Sequence, residues 1–204
     1  MSSTHQTTRE RILAASLELL ESGEGNGVRM SDIAAKVGIS RQALYLHFRT
    51  RGELLIATTH YVDDIYGGDE RLTASRTAKT GIERLDAFIE AWAGYLPEIY
   101  GIGKALLAMR DTDPEAAAAW DKRMQDMREG CEAAIKDLAR DKALTSLYSP
   151  VQATAVLWTM LSLRNWEQLT VECGWSREEY VDGLQSMARR LFFADARRTT
   201  GPTS

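Results

Sequence analysis

The residues best able to do chemistry lie between Arg29 and Arg51, in the run RMSDIAAKVGISRQALYLHFRTR, and that chemistry is recognition of DNA rather than bond-making. Five basic residues (Arg29, Lys36, Arg41, Arg49 and Arg51) stand there against one acid, Asp32. The balance is +4 in a chain of net charge −4, which leaves −8 for everything else. A basic stretch on an acidic protein is a placed feature, suited to a phosphate backbone. If Leu44 and Phe48 point inward from a helix, one turn apart, then Arg41, Gln42, Ala43, Tyr45, Leu46 and His47 point outward. A major groove suits that set. Arginine pairs with guanine in bidentate fashion, glutamine with adenine, an alanine methyl meets a thymine methyl, and tyrosine and histidine reach phosphates.

Two short helices must hold those side chains out. Ile33, Ala34 and Val37 give the first an apolar face, and Gly38 sits where that helix has to stop, free to enter the left-handed region. Ile39 plugs the corner and Ser40 is placed to cap the second helix. A pair this small cannot bury its own apolar back. The helix before it supplies the cover: Thr7 and Glu10 have capping-box spacing, and Ile12, Leu13, Ser16, Leu17 and Leu20 form a stripe that ends near Gly23. Residues 1–6 read as a mobile arm with Arg9 and Arg11 at its root, and the GEGNG stretch, 23–27, as a turn. Thr50 and Glu53 make a second capping box, opening a helix through Leu54, Leu55, Ala57 and Val62 to the break at Gly67 and Gly68.

Arg9 through Leu55, with IAAKVGISRQALYLHF followed by TRGELL, resembles the DNA-binding domain of the TetR family of transcriptional regulators. The resemblance covers about the first quarter of the chain. It implies an all-α homodimer that binds a palindromic operator in double-stranded DNA and releases it when a small molecule enters the C-terminal domain. By position, Arg41, Gln42 and Ala43 fall where the family contacts bases, and Tyr45 and His47 where it touches backbone. Arg51 falls where the family usually carries a lysine against phosphate. Arg29 and Ser40 at the two helix starts and Leu46 on the outer face complete the expected DNA-contacting set. Arg29 stands where a Thr or Ser cap is usual, which leaves Ser31 as the other candidate cap, and Gly52 is a second departure.

Beyond the reader the pattern stays helical, with no alternation that argues for strands. Residues 69–80 are polar and read as a loop. Ile82 to Leu96 carries one apolar face that Pro97 should stop, and Asp113 with Pro114 starts a helix of about seven turns. Ser149 and Pro150 start another, apolar nearly all round from Ala153 to Leu163, which calls for cover on two sides. Ser176 with Glu179 forms a third capping box, with Trp175 and Tyr180 as a hydrophobic staple, and opens a last helix ending in a tail from Arg197. Two such helices from each protomer would close a four-helix dimer interface. Phe88, Trp92 and Tyr95, then Trp120, Met124 and Met127, then Trp158 and Trp166 with the polar Asn165, suit either an ordinary core or an apolar effector pocket. The resemblance favours the pocket.

The expected organisation is a helix-turn-helix domain over residues 1–50 and a helical ligand-binding and dimerisation domain over 51–204. No run approaches the roughly 20 apolar residues of a membrane span, and no signal-peptide core opens the chain, so the expected address is cytoplasmic. Cys131 and Cys173 read as buried thiols, with a redox pair as the alternative. His5, His47 and His60 lack metal-ligand spacing, and no phosphate loop or nucleophile elbow is present, so neither metal, cofactor nor enzyme activity is expected. The alternative function is a helical ligand-binding or dimerisation protein without a specific operator.

Overall fold

Thr7 opens the first helix as its spacing predicts: its hydroxyl accepts the Glu10 amide at 3.2 Å and the Glu10 carboxylate accepts the Thr7 amide at 2.7 Å. The computed structural model describes residues 6–22 and 28–194. The arm before residue 6, His5, the 23–27 turn and the tail from Arg197 lie outside them. The fold is all-α. In order come α1 (Thr8–Glu21), α2 (Met30–Val37), α3 (Arg41–His47), α4 (Arg51–Ile65), α5 (Gly68–Arg71), α6 (Thr73–Thr77), α7 (Gly81–Met109) and α8 (Pro114–Arg140). They are followed by α9 (Pro150–Met160), α10 (Leu163–Trp166), a π-helical turn (Glu167–Glu172) and α11 (Arg177–Phe192). Among the described residues no strand forms, and Leu144 and Phe193 make an isolated antiparallel bridge. No helix of the described residues is long and apolar enough to cross a membrane.

Three sequence expectations change. The 69–80 loop is largely helical, because Gly67 in the left-handed region (φ 66°) breaks the chain and the short α5 and α6 follow at once. Buried Ser75 then donates to the Arg84 carbonyl at 3.0 Å, a tertiary anchor that a polar composition hides. Pro97 does not stop α7. It forfeits one backbone bond to the preceding turn, but Ala93, Tyr95 and Leu96 before it and Ile102 and Leu106 after it are all buried, and that continuous apolar face carries the helix through. The apolar run from Ala153 ends early, at Met160. Ser162 accepts the Asn165 amide and starts α10, and the wider π-helical turn follows.

Packing divides the chain into two units, one drawn from Met1–Asp69 and Pro97–Gln125, the other from Glu70–Leu96 and Asp126–Ser204. The sequence boundary after residue 50 follows the reader motif alone. In the first unit, Ile12 and Leu13 of α1, Ile33, Ala34 and Val37 of α2, Leu44 and Phe48 of the α3 region and Leu54 of α4 share one core. Gly101 of α7 lies so near α1 that a Cβ there would meet Glu21 at 2.9 Å. In the second unit, α7 and α8 run antiparallel. Gly81 abuts the Leu138 backbone, Gly130 abuts the Phe88 ring, and Arg84 pairs with Asp137. The last helix lies along α7, with Arg189 paired to Asp86 at 2.9 Å and Arg177 donating to the Gly94 carbonyl at 2.7 Å. Its end is pinned where the Ala194 amide donates to Ala143 and the Thr145 amide to Phe192.

The two cysteines differ. Cys131 is buried, and burial pushes its thiol up to about 12, whereas Cys173 is exposed where the π-helical turn ends. The expectation of two buried thiols holds for the first alone.

Candidate nucleic-acid interface

Gly38 makes the turn of the reader. Its φ of 76° lies in the left-handed region, its amide donates back to Ala34 at 3.0 Å and to Ala35 at 3.2 Å, and the Ile39 amide follows to Ala34. Only a residue without a Cβ takes that backbone without strain. Ser40 then caps α3, its hydroxyl accepting the Ala43 amide at 3.1 Å. Leu44 and Phe48 are fully buried, as the four-residue spacing requires. The cap of α2 differs from both expectations. Arg29 holds the extended cap backbone but its side chain makes no cap bond, and the Ser31 hydroxyl donates to Asp32 instead. The Arg29 carbonyl accepts the Asp32 and Ile33 amides, so the backbone starts the helix and Asp32 complements its dipole.

With the inner face fixed, the outer face follows. Gln42 and Leu46 lie one turn apart on the ridge opposite Leu44, and Leu46 is 88% exposed. Arg41 and Tyr45 form a neighbouring ridge: the guanidinium sits 5.6 Å from the Tyr45 ring centre and donates to its hydroxyl at 3.3 Å. Tyr45 and His47 are exposed and Ala43 is half-buried. The structure thus brings Ser40 to His47 together on one short helix. Arg29 is exposed at the start of α2.

Arg51 is the exception, because its guanidinium turns inward. It donates to the Val28 carbonyl at 2.6 Å and to Asp113 at 2.7 Å, with Glu115 at 3.4 Å. Only 16% of its side chain is exposed. Asp113 caps α8 through the Glu115 and Ala116 amides, while Glu115 accepts the Gly52 amide at 2.9 Å. The starts of α4 and α8 are therefore clasped to each other. Gly52 is explained by the same contact, since a Cβ there would stand 3.3 Å from the Glu115 carboxylate. A second tie holds α4 further along, where Arg123 grips Asp63 with two bonds of 2.6 and 2.8 Å. Sequence spacing could not find either partner, since each lies about 60 residues away.

Other basic residues also turn to scaffolding. Arg9 stacks 4.8 Å over the Phe48 ring, Arg11 donates to the Val37 carbonyl at 2.6 Å, and Lys36 pairs with Glu18 at 2.6 Å. Thr50 caps α4 through the Glu53 amide, but the Glu53 carboxylate reaches the Arg49 amide rather than closing the box.

The nine aromatic, Met and Asn positions weighed as a pocket divide between the two packing units. Trp120 and Met124 belong to the first. The other seven belong to the second, where Phe88, Tyr95 and Met127 are buried and Trp92, Trp158 and Trp166 half-buried. Trp92 packs edge-on to Tyr95 and donates to the Leu161 carbonyl at 3.2 Å. Asn165 is not a free polar group: its amide donates to the Thr159 and Met160 carbonyls and closes the end of α9.

Residues 12–58 match the family model for bacterial regulatory proteins of the TetR family. The transcriptional activator FasR of Mycolicibacterium smegmatis is 31% identical over 140 residues, 67% of this chain and 61% of that protein. The nucleoid occlusion factor SlmA of Idiomarina loihiensis is 24% identical over 173 residues, 79% of this chain and 81% of its own. A solved structure from Rhodococcus sp., assigned to the TetR-family regulators, superposes with a TM-score of 0.71 at 19% identity, covering 90% of this chain and 97% of that one. A matched reader, a shared all-α fold and a regulator as relative agree: the chain belongs to the TetR family of bacterial regulatory proteins and is a DNA-binding transcriptional regulator, not an enzyme.

Proposed function

We propose that the protein acts as a homodimer that lays α3 of each protomer into successive major grooves of a palindromic operator and represses from there. The observation that carries this is the outer face of α3: Gln42, Tyr45, Leu46 and His47 stand exposed on a helix whose inner face is locked into the core. On that face Gln42 and Leu46 address base edges, Arg41 and Tyr45 address the flanking phosphates, and Arg51 holds the frame of the reader rather than touching DNA. Dimerisation is supported by α9. Its inner residues Ala153 and Leu157, and Leu161 just after its end, are buried within the protomer, while Val151 and Ala155 remain exposed on the other side, next to half-buried Trp158. One side of α9 is thus covered within the protomer, and Val151 and Ala155 are left on the other.

Release by a small, largely apolar effector is the regulatory half of the proposal. Half-buried Trp158 supports it, as does half-buried Trp166 immediately before the π-helical turn, because such turns concentrate at functional sites. A ligand preferring the release conformation by about 1–3 kcal/mol would change operator affinity about 5- to 150-fold.

Selecting bound duplexes from a random pool with the full chain tests the reading. Enrichment of a palindrome bound by two protomers is expected, and a reporter placed behind it should fall when the protein is supplied. A pool that never enriches removes the proposal. A reporter that rises makes the protein an activator, the role carried by its relative FasR.

A further inference from the structure

We infer that Leu46 reads the 5-methyl group of a thymine, one in each half-site, within about two base pairs of the base that Gln42 reads. The inference rests on the operator reading above and names what one position of that operator must be. Leu46 is 88% exposed, more than any other large apolar residue among the described residues, and it occupies the centre of the basic reader's outer face. No core function explains it, because Leu44 and Phe48 already fill the inner side. A leucine cannot serve a phosphate. The one apolar feature that a base pair offers to the major groove is the thymine methyl.

Neighbouring contacts restrict what else could read there. Arg41 is drawn along its own ridge onto Tyr45, 5.6 Å from the ring centre, and so leaves the central ridge to Gln42 and Leu46. Four residues of helix advance about 6 Å, close to two base steps of about 3.4 Å each. The amide and the isobutyl group therefore meet bases in the same half-site, the first recognising adenine by hydrogen bonds and the second a methyl by contact.

Deoxyuridine removes that methyl and nothing else. The selected operator is remade with each thymine replaced in turn by deoxyuridine, symmetrically in both half-sites, and titrated against wild type, Leu46→Ala and Gln42→Ala. At one position wild type should lose roughly threefold to tenfold per half-site. Leu46→Ala should already bind more weakly and be indifferent to that replacement. The position should lie within about two base pairs of the one whose base preference Gln42→Ala relaxes. An unchanged melting temperature for Leu46→Ala, whose side chain is outside the core, keeps folding out of the comparison. Wild type indifferent to deoxyuridine throughout the half-site overturns the inference, and so does a Leu46→Ala protein that loses the same factor as wild type. If no duplex enriches in the selection, this inference falls together with the operator reading, whereas an enriched duplex insensitive to its thymine methyls sinks this inference alone.

Discussion

Gln42 and Arg51 are both polar residues of the reader, yet Gln42 stands exposed on α3 while the Arg51 guanidinium is turned onto Asp113. For Gln42→Ala we expect a loss of about 1–3 kcal/mol per half-site on the preferred operator, much less on random DNA, and a relaxed choice at one base position. Titrations at several salt concentrations measure both quantities, and an unchanged base preference would mean that the central ridge has been rotated wrongly. Arg51→Ala should leave the salt slope of DNA binding intact, unlike a phosphate contact, whose removal flattens the slope by about one unit. It should lower stability instead, by about 1–3 kcal/mol, since it strips a part-buried carboxylate of its partner. The pH dependence carries the same mark. Burial would raise the Asp113 pKa, but the Ala116 amide, the Arg51 guanidinium and the Glu115 amide outweigh it and hold the carboxyl below its ordinary value. A depressed carboxylate contributes stability above its unfolded value of about 3.9, and that contribution is lost as the pH falls through the lower folded value. Arg51→Ala weakens the depression, so its acid unfolding should begin at a higher pH than that of wild type. Coincident acid transitions would show that Arg51 does not hold Asp113. The spacing Ser40, Leu44, Phe48 made the reader legible from sequence, because helix period and capping are local. The fate of Arg51 was illegible, because its partners come from the start of α8.

Helix starts were the most readable elements: Thr7, Ser149 and Ser176 each cap through the third residue onward, in both directions. What sequence pattern misjudged was where helices end or persist. Pro97 and the polar 69–80 stretch are decided by burial at Leu96 and Ser75, which composition does not carry. The close approach of α7 to α8 is equally hidden. At Gly81 a Cβ would stand 2.5 Å from both the Leu138 amide nitrogen and its Cα, and the Gly81 amide donates to Asp141 at 2.6 Å. Backbone cannot step aside as a flexible side chain does. Gly81→Ala should therefore cost roughly 1–3 kcal/mol despite the better helix propensity of alanine. Thermal unfolding of the variant decides it, and a melting temperature equal to or above that of wild type would mean that the two helices separate freely there.

At the scale of the whole molecule, the proposed operator with two half-sites requires the proposed dimer. Leu161, which the sequence offers as an interface position, is 1% exposed inside its own protomer, so a charge there would unfold the subunit before it tested association. Val151 is the better probe at 73% exposed. Val151→Glu should give a folded monomer in sedimentation, with unchanged helicity and greatly weakened binding to the full palindrome. A variant that still sediments as a dimer would move the interface off α9. The sequence showed a helix apolar nearly all round from Ala153 to Leu163 but not which side was left over, since that depends on how α9 packs in the folded protomer. The clasp between α4 and α8 has a practical corollary for building hybrid regulators. A graft that transplants this reader onto another helical domain by cutting after residue 50 would sever Arg51 and Gly52 from Asp113 and Glu115. The two acids must travel with the reader, or be recreated in the host, for the chimera to keep its headpiece folded.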